Sequence, residues 1–172
     1  MRTTDGQRGP EIWIRGPVPA PDPAPPPHPD VDTPRRFSWV ATHGGAGSTT
    51  LAAVYGGHDC GRGWPGAGAP PSVLLVARTH ATGLESALRA LEAFRCGDVP
   101  QGLGLEAVVL VADAPGRLPR PLVQRVGVIE SVIDVYRVPW VADWRLGDLT
   151  GSPPRETQPL SRLTGAVSGR SR

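Results

Sequence analysis

Apolar runs and helical stripes alternate through the middle of this chain. Phe37, Trp39 and Val40 fall in a β-prone run, FSWVATH (37–43), which ends at glycines and reads as a buried strand. TTLAAVY (49–55) follows as a short helix stopped by Gly56-Gly57. A Gly/Pro-rich loop, 57–71, leads to VLLVAR (73–78), an unbroken apolar run of the kind covered on both faces of a sheet. The next helix is the clearest in the chain. Leu84, Ala87, Leu88, Leu91 and Phe94 lie on one stripe, Thr82 and Glu85 form a T-x-x-E capping box, Glu85 and Arg89 stand one turn apart, and Gly97 supplies the stop. LEAVVLVAD (105–113) predicts a third buried strand. Pro121 opens a helix to about Ser131 with Leu122, Val126 and Ile129 inward. A fourth strand lies between Val132 and Val138, closed by Pro139, and PWVADWRLGD (139–148) reads as a loop or short helical turn.

The order β-α-β-α-β-α-β predicts an α/β domain over 36–150, with a parallel sheet of about four strands and helices on both faces. Such sheets bind ligands outside the carboxyl ends of their strands. That end holds the glycine loop after the first strand, Arg78-Thr79-His80 after the second, and Asp113 with Arg117 after the third.

Composition redraws the two ends. Of 21 prolines, ten fall within residues 1–34. Residues 1–35 therefore read as a disordered arm in which PVPAPDPAPPPHPD favours polyproline II geometry. A spacer is the plainer role, and a ligand for an aromatic groove the alternative. EIWI (11–14) is an apolar island in this arm, either a docking motif or a segment that packs back on the domain. Residues 151–172 carry four Arg against one Glu and read as a disordered, solvated tail of charge +3.

Charge and chemistry narrow the function classes. Residues 37–150 hold nine Arg and ten acids, so the domain is close to neutral, which argues against a nucleic-acid partner. The chain contains no lysine; all 18 basic residues are arginine. Cys60 and Cys96 form no CxxC pair, and His58 with Cys60 makes only an isolated HxC. The N-terminus has no apolar leader and no run approaches a membrane span, so a cytoplasmic location is expected. No Ser-His-Asp or Cys-His constellation emerges; Ser48 and His43 share a loop without a base or oxyanion site to make a nucleophile of the serine.

THGGAGSTT (42–50) carries the strongest chemical signal. A phosphate loop reads G-x-x-x-x-G-K-[ST]: its amides cradle phosphate, its lysine neutralises charge and its hydroxyl holds Mg²⁺. Here Gly47 takes the second glycine, Ser48 the lysine and Thr49 the magnesium hydroxyl, while Thr42 stands where the first glycine would be. His43-Gly44-Gly45-Ala46-Gly47-Ser48-Thr49-Thr50 resembles the K-G-G-x-G-K-[ST]-T loop of the MinD/ParA-like branch of P-loop ATPases at every position except the two lysines. VLLVARTHATGLESALRAL, VVLVADAPGRLPRPL and VYRVPWVADWRLGD resemble later strands of that family, the last with its proline loop.

The resemblance implies a shortened, three-layer P-loop NTPase-like fold over 37–148, of the kind found in small actinobacterial proteins encoded beside conjugation or secretion machinery. It also implies that the segment bearing switch I, Walker B and switch II is missing, since only some 25 residues separate the loop from VLLVAR.

With both lysines gone, weak ATP affinity and slower hydrolysis are expected, and no cofactor is required. If nucleotide is retained, Gly44 through Thr50 would hold it, Thr49 would take Mg²⁺, and His43, Arg78, Asp113 and Arg117 would be accessory, with Arg120 a further candidate. Asp113 ends an apolar strand in the form of a Walker B aspartate, or else caps the turn of Asp-Ala-Pro-Gly. His43 is either a pH-sensitive cation or a neutral strand-end histidine, and His80 has the same two readings. Three functions follow: a catalytically degenerate module that binds a protein partner, an ATPase or a transfer or secretion component; a slow ATP-binding switch; or a DNA-associated partition factor.

Overall fold

The computed structural model describes residues 37–166. The Pro-rich arm, with EIWI, and residues 167–172 lie outside the described residues. Strands β1 (Ser38–Ala41), β2 (His58–Asp59), β3 (Ser72–Arg78), β4 (Gly104–Val111) and β5 (Val135–Val138) form one sheet in the order β2-β1-β3-β4-β5. Every pairing is parallel. The sheet has five strands where four are legible in the sequence. The extra one, β2, is a two-residue edge strand of His58 and Asp59, with no apolar run to announce it.

Helices α1 (Ser48–Tyr55), α2 (Ala81–Cys96), α3 (Arg120–Glu130), α4 (Ala142–Arg145) and α5 (Gln158–Thr164) complete the fold. Side chains alternate across each strand, so the sheet carries two cores. On one face Trp39, Leu74, Val76, Val109 and Val138 meet Leu51 and Tyr55 of α1 and Leu160 of α5. On the other, Val40, Leu75, Ala77, Val108 and Leu110 meet Leu84 and Ala87 of α2 and Val126 and Ile129 of α3. The central run Val73–Ala77 is fully buried because both faces are covered. Each large aliphatic side chain buried there contributes about 1.5–3 kcal/mol of transfer free energy, as an upper bound.

Two sequence expectations are corrected. The T-x-x-E box does not cap α2. The helix starts two residues earlier, and His80 is the cap: its backbone is extended and its Nδ1 accepts the Gly83 N–H at 2.9 Å. Gly83 is seated against the Arg78 carbonyl and the His43 ring, where a Cβ would collide with both, and this close approach sets the entry of the helix. Glu85 instead pairs with Arg89 at 3.2 Å on an exposed face.

Nor does the ordered domain end at 150. A 3₁₀ turn, Arg155–Thr157, leads into α5, whose Leu160 is fully buried. The Tyr55 hydroxyl donates to Thr157 Oγ1 at 2.6 Å, across 102 residues of sequence. Leu160 and Leu163 in an otherwise polar short helix are too sparse a pattern to stand out from a tail.

Candidate functional site

In the strand order β2-β1-β3, the chain leaves β1 toward β2 and returns on its other side as β3. The switch point of the sheet therefore lies between the carboxyl ends of β1 and β3, where α/β sheets form their ligand crevice. The glycine loop and Arg78-Thr79-His80 meet there.

The loop turns on two glycines with positive φ. Gly45 has φ 74° and Gly47, the N-cap of α1, has φ 107°. Ala46 is buried beneath the turn and Gly44 is open to solvent. Gly47 offers no side-chain oxygen, so the first turn of α1 has no side-chain acceptor on its cap.

The chain's own groups occupy the rest. His43 Nδ1 lies 2.9 Å from Gly44 O, and its Nε2 accepts the Arg78 N–H at 3.0 Å. These partners specify the tautomer with the proton on Nδ1. The His43 and His80 rings meet edge to face at the carboxyl ends of β1 and β3, with centroids 5.0 Å apart.

Arg78 reaches over the loop. Its Nε donates to Gly45 O at 2.8 Å and its Nη1 to Ala112 O at 3.2 Å. Burial and the neighbouring charge of Arg145 push the Arg78 guanidinium below its ordinary value, and Asp113 opposes them. Arg145 lies over the Trp140 ring at 4.3 Å and faces Asp113 at 4.0 Å. Between the loop and the 139–145 segment, Gly47, Thr50, Arg78, Trp140, Trp144 and Arg145 enclose a space of about 30 Å³. That is room for a water molecule, whereas small-molecule pockets run to about 300–1,000 Å³.

Ser48, at the lysine position, is 5% exposed. Thr49 donates its hydroxyl to Asp59 Oδ2 at 2.6 Å. Burial disfavours the Asp59 charge, but the hydrogen bonds from Thr49, the Gly61 amide and Ser48, with His58 nearby, outweigh it and hold the carboxyl below the usual range. The carboxylate beside the magnesium-type hydroxyl is therefore Asp59 and not Asp113. β2 lies directly beside β1, whereas β4, which ends before Asp113, is two strands away on the other side.

Asp113 is tied to neighbouring strand ends: its N–H donates to Thr79 Oγ1 at 3.1 Å, and its carboxylate faces Arg145. Sequence reasoning passed over Asp59 because β2 is too short to read. Asp59-Cys60-Gly61, a carboxylate two residues before a positive-φ glycine, is the signal that marks it.

Arg117 is not at the loop. It lines a second, open cavity of about 440 Å³ at the carboxyl ends of β4 and β5, with Thr79, His80 and Asp113 on the same wall. Arg120 opens α3. No group of three or more His, Cys, Asp or Glu among the described residues is placed to hold a metal ion. Thr49 and Asp59 are an oxygen pair of the type that suits Mg²⁺, which ordinarily fills its remaining positions with water and phosphate. Among the described residues no helix is long and apolar enough to cross a membrane. Comparisons with protein-family models, curated proteins and solved structures each find no match.

Proposed function

We propose that this chain is a catalytically degenerate relative of MinD/ParA-like P-loop proteins that acts by contact with a protein partner. In this reading the glycine loop is a structural turn. The observation that carries it is that Arg78, the cation lying over the loop, donates to the Gly45 and Ala112 carbonyls, with a space of only about 30 Å³ between Gly47 and the 139–145 segment.

Phosphoryl transfer needs cations aimed at the developing charge. Ser48 and His43 supply none in the place of the two lysines, and two donors of Arg78 are spent on the Gly45 and Ala112 carbonyls. The family resemblance suggests an ATPase or a component of a conjugation or secretion apparatus as partner. A surface for such contact is available. Val128 and Val132 stay 54% and 68% exposed beside a groove that Leu88, Leu91, Phe94 and Ile133 line between α2 and α3.

A specific observation favours the ATP-binding switch as a second reading. Thr49 and Asp59 stand 2.6 Å apart beside neighbouring parallel strands, an oxygen pair that would help to hold Mg²⁺ beside a bound phosphate.

Thermal unfolding with and without millimolar Mg²⁺-ATP separates the two. A ligand at 100 times its Kd stabilises by about 2.7 kcal/mol, enough to move the midpoint by several degrees. The degenerate module shows no shift. A shift that disappears in Thr49→Ala would establish the switch instead.

A further inference from the structure

We propose that the cavity at the carboxyl ends of β4 and β5 is a binding site for a small amphipathic carboxylate, whose head is held at Arg117. The site is separate from the glycine loop, none of whose residues line it: Leu110, Leu122 and Val126 come from the face covered by α3, and Val138 from the opposite face.

Size and lining carry the first part. The cavity holds about 440 Å³, within the range of small-molecule sites. Its apolar wall comes from Leu110, Leu122, Val126 and Val138, contributed by β4, α3 and β5. Leu110, Val126 and Val138 are at most 1% exposed, so this wall is anchored in the core. The Asp113–Pro119 segment borders it with two prolines and Gly116, whose φ is 94°.

Charge carries the second part. Of the wall's charged groups, Arg137 is engaged by Glu130 at 2.6 Å and Asp113 faces Arg145 at 4.0 Å. Arg117 has no carboxylate within salt-bridge distance among the described residues. His80 spends Nδ1 on the Gly83 N–H, which leaves its Nε2–H as a donor. Arg117 and the His80 Nε2–H are donors on the β3 and β4 side of the wall, and they match an anionic acceptor. Glu156, from the 3₁₀ turn beyond β5, opposes an anion at the far end and favours a head at Arg117. One unpaired guanidinium suits a monoanion better than a phosphate dianion, which would call for a second cation.

The test is a titration of the full chain, ¹³C-labelled at Leu and Val methyls, with octanoate and with octanamide. Saturable shifts at Leu110, Leu122, Val126 and Val138 are expected. Octanoate should bind about tenfold tighter than octanamide, the gain of one charge-assisted contact. Arg117→Gln, an exposed change that leaves the core intact, should erase that preference and leave octanamide binding as it was. Loss of the preference with retained octanamide binding supports the site.

Absence of saturable shifts overturns it, as does a preference that survives Arg117→Gln or a response centred on the α2–α3 groove. Trp13→Ala in the same full chain, without ligand, covers the remaining occupant. If it moves the same four methyl signals, the chain's own EIWI segment fills the cavity and the proposal fails; if they stay in place, the cavity is free for ligand.

Discussion

Asp59 lies at a short edge strand and still fixes the start of α1. It accepts hydrogen bonds from Thr49 and from the Gly61 amide, and its carboxylate beside the first turn is favourable to the helix dipole. Because its folded pKa is lowered, the stability it contributes is fully present above the ordinary aspartate range, near 4. That stability is lost as pH falls through the lower folded value. Asp59→Asn should therefore destabilise the protein at neutral pH, by no more than about 1 kcal/mol at this half-exposed position. The deficit should shrink as urea titrations move from pH 5 toward pH 3. A deficit constant over that range would mean the ionised carboxylate contributes nothing particular.

Residue chemistry also explains why His43 and His80 resisted a reading from sequence. Each is an acceptor for a backbone N–H, of Arg78 and of Gly83. A capping imidazole falls outside the Ser, Thr, Asp and Asn that announce a helix start. The collision a Cβ would meet at Gly83, against the Arg78 carbonyl, is invisible until β3 and α2 are seen together.

Among the elements, β3, β4 and α2 could be read from periodicity alone, since their patterns are long and strong. β2 and α5 could not. α5 is held through Leu160, through the bond between Tyr55 and Thr157, and through the threonine's own bond to the Pro154 carbonyl at 2.7 Å. Burial pushes the Tyr55 phenol up, as befits a hydroxyl sealed under a helix.

Leu160→Ala should cost about 2–5 kcal/mol, the range for a buried leucine truncated to alanine. Chemical denaturation measures it. A cost under about 0.5 kcal/mol, ordinary for a surface position, would return residues 151–166 to the status of a tail.

Under the proposed reading, the question for the molecule as a whole is whether the serine at the lysine position or the residues across the loop would keep phosphate out. The two are separable. Ser48→Lys restores the missing cation but leaves Arg78, Trp144 and Arg145 across the loop. It also forces an ammonium into a position that is 5% exposed, beside which Asp59 is the nearest carboxylate. The variant should have a lower melting temperature than the parent and gain no shift with Mg²⁺-ATP. A gain would show that charge alone was limiting and that the 139–145 segment yields to ligand. At this scale the near-neutral domain still speaks against the partition-factor reading, because binding to nucleic acid draws on clustered cations that residues 37–150 do not contain.

By itself the sequence determined the α/β class, the parallel alternation, the long buried strands and the glycine turn between β1 and α1. Each depends on local pattern: unbroken apolar runs, a 3.6-residue stripe, glycines where φ turns positive. Only the tertiary structure decided what surrounds that turn. Which carboxylate meets Thr49 follows from strand order, and strand order is not written in any local run. Whether the loop is open follows from Arg78, Trp144 and Arg145, which arrive from two other strand ends. The open cavity beside Arg117 lies at the ends of β4 and β5, whereas at the ends of β1 and β3 two histidines from separate elements meet edge to face.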